Sequence, residues 1–131
     1  MQQFRKAVEA DDHDAIAALL AEDVVFTSPV AFAPYRGKPV TAAILRAVTR
    51  VFQDFRYVRT VDDVGGRDHV LFFTATIDDL TVHGCDVLHL DDDGLIDDFT
   101  VMVRPLRAAQ ALSARMAVEF AAEMGTSAPD A

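Results

Sequence analysis

Apolar residues recur along this chain in two rhythms, one close to four and one of two. Their order predicts helices interrupted by one strand and followed by a run of strands. Phe4, Val8, Ile16, Leu19 and Leu20 mark two short amphipathic helices broken around Asp11-Asp12-His13-Asp14, where Asp12 or Asp14 can cap the second. Val24-Val25-Phe26-Thr27-Ser28 is rich in β-branched and aromatic residues and halts at Pro29, a strand pattern, and a loop runs on through Pro34-Tyr35-Arg36-Gly37. Helical spacing returns from Pro39 to Phe52 in Val40, Ile44, Ala47, Val48 and Val51, with Pro39 suited to a first turn.

Alternation then takes over. Strands are predicted over Phe55 to Val64, His69 to Ile77, Leu80 to Leu90 and Leu95 to Arg104, with turns at Gly65-Gly66 and Asp93-Gly94. Short loops between long strands favour an antiparallel meander. Pro105 opens a last helix in which Leu112, Met116, Phe120 and Met124 form one apolar stripe, and Gly125 ends it. The expected class is α+β, with helices covering one face of a curved, mostly antiparallel sheet and leaving a cone-shaped cavity between the layers.

One residue breaks the pattern. Asp91, Asp92 and Asp93 suit a turn, but Asp86 lies earlier, in the strand, on the face that carries Val82, Gly84, Leu88 and Leu90. A carboxylate in an apolar row is either a pocket group whose pKa rises by desolvation, or an inward acid satisfied by Arg59, Arg104 or water. His83, Cys85 and His89 share the opposite face. His83 and His89 would stand about 20 Å apart, too far to share a metal.

Composition narrows the function. The 131 residues, about half apolar, suit one domain over 1–124 and a frayed tail over 125–131. Twelve basic against 21 acidic residues give a net charge of −9 with no basic cluster, which disfavours nucleic acid and anionic lipid. No apolar run reaches membrane-spanning length, and charges interrupt the first twenty residues, so no secretion signal is read. The single cysteine, Cys85, fits a reducing compartment, and a cytoplasmic protein is expected. Nucleotide-binding glycine patterns are missing, and His89 and Thr100 are wrong for the calcium loop that Asp91, Asp93 and Gly94 suggest. No metal and no cofactor is expected.

The element order, the short strand ending in Ser28-Pro29, the Tyr35-Arg36-Gly37-Lys38 entry to the long helix, and the hairpin from Asp86 to Ile96 resemble the NTF2-like superfamily. The resemblance is to its SnoaL-like and ketosteroid-isomerase-like branch and covers roughly residues 1 to 107. It implies a cone-shaped fold with an apolar pocket, commonly in homodimers, used for acid-base chemistry on cyclic or polyketide-like molecules. Asp86 falls where ketosteroid isomerases keep a protonated Asp that hydrogen-bonds the substrate oxyanion, a carboxyl held neutral by its apolar site. The isomerase base falls on Ser28 and the oxyanion-binding Tyr on Phe4, so steroid isomerisation by the usual residues is not expected. The limonene epoxide hydrolase branch needs a second inward acid, which alternation does not supply.

The expected pocket is lined by Phe26, Phe73, Ala75, Leu88, Phe99 and Val101, with Asp86 as its ionisable group and Ser28 or Tyr35 orienting the ligand. Tyr57 could face either side. Three functions remain open: acid-base catalysis of an isomerase, cyclase or dehydratase type on a small apolar carbonyl compound, non-catalytic ligand binding, or an interaction module. A second polar side chain within reach of Asp86 would favour the first. The outer face carrying Phe72, Val87 and Met102, and the stripe of the last helix, predict a homodimer.

Overall fold

The local chemistry of each segment explains where it bends and pairs in a computed structural model that describes residues 1–125. The tail expected beyond Gly125 lies outside the described residues. The first two helices are α1 (Gln2–Glu9) and α2 (His13–Ala18). They meet at a corner where Asp11 adopts a left-handed backbone, φ 53°, and Asp12 caps α2 by accepting the Ala15 N–H at 3.1 Å. β1 (Leu20–Thr27) begins four residues earlier than predicted, because Leu20 and Ala21 are buried and Leu20 pairs with Ile96. The predicted loop contains a two-residue strand, β2 (Tyr35–Arg36), opposite Val25 and Phe26.

Helix α3 (Lys38–Val51) buries Ile44, Leu45, Ala47 and Val51. Four strands follow: β3 (Gln53–Asp62), β4 (Asp68–Ile77), β5 (Leu80–Leu90) and β6 (Ile96–Arg104). Asp78 and Asp79, both with positive φ, make the two-residue turn from β4 to β5, a geometry that Asp tolerates better than most residues. The order across the six-stranded sheet is β2-β1-β6-β5-β4-β3, with β1 and β6 parallel and every other pair antiparallel. The meander is as predicted, and the α+β class with it. The parallel join of β1 to β6 closes a long loop and has no local signal in the sequence.

Alternation decides which sheet face is core. On β4, Leu71, Phe73, Ala75 and Ile77 are buried while Phe72, Thr74 and Thr76 between them are partly exposed. Leu71 and Phe73 pack with Phe4 of α1, Ile16 of α2 and Ile44 of α3, and Ile77 packs with Val51, Val82, Ala108 and Leu112, each large apolar side chain adding roughly 1.5–3 kcal/mol by burial. Helix α4 (Leu106–Glu123) returns over the same side and buries Ala108, Leu112 and Ala121. Ion pairs of Arg46 with Glu123 and of Arg50 with Glu119 and Glu123 tie it to α3, at 3.1, 2.9 and 2.6 Å.

Two irregularities bend β3. The ladder gains a residue between Gln53 and Arg56, where Asp54 has φ 51°, and another between Tyr57 and Arg59. At the second, Tyr57 lies opposite Phe73 and Arg59 opposite Phe72, leaving Val58 unpaired. An unbroken strand would send Tyr57 and Arg59 to the same face. Here Tyr57 turns inward and Arg59 outward.

Candidate active site

Asp86 sits on the inward face of β5, between Leu71 of β4 and Val101 of β6. It is one of the few buried charged or polar residues, with 6% of its surface exposed. Tyr57, equally buried, donates its phenolic hydrogen to Asp86 Oδ2 at 2.7 Å. No other hydrogen bond engages the Asp86 side chain among the described residues.

The path between them depends on an absent side chain. Tyr57, Phe73 and Gly84 are cross-strand neighbours in that order, and a Cβ at position 84 would stand 2.3 Å from Phe73 Cζ and 2.8 Å from the Met102 carbonyl oxygen. Glycine therefore lets the Phe73 ring lie flat over β5, and the Tyr57 hydroxyl passes diagonally to Asp86. Phe55 stacks on Phe73 with centroids 4.8 Å apart and meets Tyr57 edge-on at 5.0 Å, while Phe52 packs on Phe73 at 5.4 Å. These rings keep water from one side of the pair.

Burial is the larger influence on Asp86 and lifts its pKa from 3.8 to about 7, against the smaller opposing pull of the Tyr57 hydrogen bond. Tyr57 is pushed well above 10, first by burial and then by the charge of Asp86. The phenol thus keeps its proton, and Asp86 is the member of the pair that titrates near neutrality. The cationic partners considered for Asp86 lie elsewhere: Arg59 stacks over the outer ring of Phe72 at 5.1 Å, and Arg104 Nη1 is 3.0 Å from His83 Nδ1. The bulge at Val58 turned the first outward, and strand parity did the same for the second.

A cavity of about 370 Å³ opens in front of the pair, within the size range of small-molecule sites. Phe26, Ser28, Tyr35, Phe73, Phe99 and Val101 lie on its wall, as does Asp86. Ala75 and Leu88, expected there, do not: both are buried in the inward row but outside the cavity lining. Alternation sets the face of a strand, and helix packing decides which inward residues meet empty space. Ser28 Oγ accepts the Val30 N–H at 3.1 Å, and the Tyr35 ring meets Phe120 edge-on at 6.0 Å.

Several wall residues carried no site signal in the sequence. Tyr57 was hidden by the bulge, Phe52 and Phe55 by the end of α3, and Asp11 by the helix corner, where it pairs with His13 Nε2 at 3.0 Å. Leu112, Met116 and Phe120 of α4 were legible as a stripe, but not as a cavity wall. Among the described residues no cluster of three metal-ligating side chains occurs. Cys85 has its thiol pKa raised by burial and then by Asp86, the opposite of an activated nucleophile. No described helix is long and apolar enough to cross a membrane.

Residues 1–99 match the SnoaL-like domain family. The chain belongs to that family. Among solved structures, this SnoaL-like protein is similar to a steroid delta-isomerase from Pseudomonas aeruginosa, at 38% identity over 95% of this chain and 91% of that one, with a TM-score of 0.89. An uncharacterised protein with a cystatin-like fold from Silicibacter pomeroyi matches at 36% identity over 88% and 80% of the two chains, TM-score 0.83. An NTF2-like protein of unknown function from Cytophaga hutchinsonii shares the fold at 20% identity over 79% and 86%, TM-score 0.61. No protein of curated function matches the sequence significantly. The expected NTF2-like, SnoaL-like architecture is therefore the one observed.

Proposed function

We propose that this SnoaL-like protein binds a small apolar carbonyl compound and moves a proton beside the carbonyl, with Asp86 as acid-base group and Tyr57 holding it in place. The observation that carries this reading is the 2.7 Å bond from Tyr57 to Asp86 on the wall of an apolar cavity. A carboxyl that titrates at about 7 is half ionised near neutral pH, the condition under which one group both takes and returns a proton efficiently. The Asp86 carboxylate takes a hydrogen from the carbon next to the carbonyl, and the electron pair of that bond moves onto the carbonyl oxygen as an enolate. Protonated Asp86 then returns the proton to the same or a conjugated carbon. Tyr57 occupies one carboxylate oxygen and leaves the other facing the ligand.

The similarity to a steroid delta-isomerase supports an apolar, cyclic ligand. The route differs from the one that the resemblance implies. Phe4 is core, packed edge-on to Phe99 at 5.4 Å, and the Ser28 oxygen is taken by the Val30 N–H. Those two positions also favour the second reading, ligand binding without turnover. A homodimer through the outer sheet face and a cytoplasmic setting, where Cys85 stays reduced, complete the proposal.

The test is α-hydrogen exchange of 4-phenylcyclohexanone in D2O, followed by NMR. Wild-type protein is expected to speed exchange over buffer, Asp86→Asn to slow it by about 100-fold or more, and Tyr57→Phe by about tenfold. Unchanged exchange in a folded Asp86→Asn variant would remove Asp86 from the chemistry. Wild-type binding without any exchange would leave the non-catalytic reading.

A further inference from the structure

One large apolar side chain at the rim of the cavity faces away from it. Ser28, Pro29, Val30 and Ala31 line the cavity in succession, and the lining resumes at Tyr35. Phe32, at the crest of the loop between them, is fully exposed to water. The loop runs beside α4: Val30 packs against the cluster that contains Leu112, and the Tyr35 ring meets Phe120. On the same helix Ser113 and Ala117 line the cavity and are also exposed, which marks this side as a mouth. A single exposed Phe is ordinary on a protein surface, and Val64, as exposed as Phe32, lies in a hairpin turn away from the cavity lining. Position is what sets Phe32 apart.

Little holds the crest in place. The sheet fixes both ends of the loop, with Phe26 opposite Tyr35 and Val25 opposite Arg36. Between them, the backbone from Pro29 to Ala33 makes no hydrogen bond to other backbone among the described residues. The Val30 N–H, donated to Ser28 Oγ at 3.1 Å, is its one tether. Beyond Val30, Phe32 is flanked by Ala31 and Ala33, whose side chains are too small to anchor it. A segment with so few bonds rearranges at small free-energy cost. Across the mouth, α4 offers a seat. Ser113, Ala114 and Ala117 are exposed and small, and the charges beside them are occupied, Arg115 by Asp78 and Glu119 by Arg50. A ring laid there meets neither a bulky side chain nor a free charge.

We propose that the loop from Pro29 to Pro34 is a lid, and that Phe32 folds onto the Ser113–Ala117 shelf of α4 when an apolar molecule fills the cavity. An occupied cavity gives the ring an apolar surface to cover, so closure takes ring and ligand out of water together. The lid rests on the apolar-ligand part of the reading given above and is independent of the chemistry of Asp86.

The chain contains no tryptophan, so Phe32→Trp places a single fluorescent reporter on the crest. Its emission is expected to be that of a water-exposed indole in the free protein. On titration with 4-phenylcyclohexanone it should shift to shorter wavelength and lose severalfold in quenching by acrylamide. A second arm needs no ligand: Phe32→Cys with Ala117→Cys, in a Cys85→Ser background, can form a disulfide only when the loop reaches α4. In oxidising buffer that bond should form faster than in a control pairing Phe32→Cys with Val64→Cys, whose second position follows β3, at the opposite edge of the sheet from β2. A ketone bound by calorimetry with emission and quenching unchanged would overturn the lid and leave Asp86 as read. So would a disulfide that forms no faster than the control. If the ketone does not bind and the disulfide forms, the lid stands and the proposed ligand falls.

Discussion

Asp86 ties a proton to the folded state. Its carboxyl titrates at about 7 when buried against an ordinary value of 3.8, so the folded chain holds a proton that the unfolded chain has released over that interval. The sign follows: the raised pKa favours folding fully below about pH 4, and that contribution is lost as pH climbs through 7. Three pH units at ~1.4 kcal/mol each put the loss on the order of 4 kcal/mol. Asp86→Asn removes the ionisation and keeps an acceptor for Tyr57, so its stability by urea unfolding should fall much less between pH 4 and pH 8. Parallel curves for the two proteins would mean that Asp86 stays solvated enough to ionise at no cost. Half of this pair was legible in the sequence, because an acid in the row Val82, Leu88 is conspicuous. Tyr57 was not, since its face depends on an unpaired neighbour that no alternation pattern announces.

Among the elements, β5 has the least tolerance for change at Gly84. An added methyl would press on the Phe73 ring and on the Met102 carbonyl, and only the ring can give way. Gly84→Ala should cost about 1–3 kcal/mol of stability by overpacking and tilt the ring on which Phe52 and Phe55 rest. Thermal unfolding measures the first effect, and slower α-hydrogen exchange of the cyclohexanone the second. A folded variant of wild-type stability would show that the ring has room to spare. Most elements were readable because their signals are local: Pro39 at a helix start, Gly94 in a turn, spacing by four in α4. The early start of β1 and the two residues of β2 were not, because pairing with distant β6 and with β1 itself, not propensity, makes them strands. Ala75 and Leu88 fall in the same class, placed on the right face by alternation and away from the cavity by packing.

At the scale of the whole molecule, the two sheet faces have opposite fates. The inner one carries the core and the cavity, while the outer one presents Met102, 59% exposed, beside partly buried Phe72, Val87 and Cys85. An apolar row of this kind in a chain of net charge −9 is where a second copy would bury surface. Sedimentation at micromolar concentration is expected to give a dimeric mass for the wild type and a monomeric one for Met102→Lys, with the cavity unaffected. A monomeric wild type would leave that face without a partner copy.

The extra residue in β3 makes the site a matter of counting as much as of chemistry. With the pairing of Arg59 and Phe72 held and the bulge at Val58 closed, Val58 would take the place opposite Phe73 and Tyr57 would point to solvent. The carboxyl would then be alone, with not one side chain replaced. Chains of this fold can therefore gain or lose the pair through whether a single residue of one strand bulges out of its ladder. Two relatives with the same residues in the same order could differ in whether those residues ever meet.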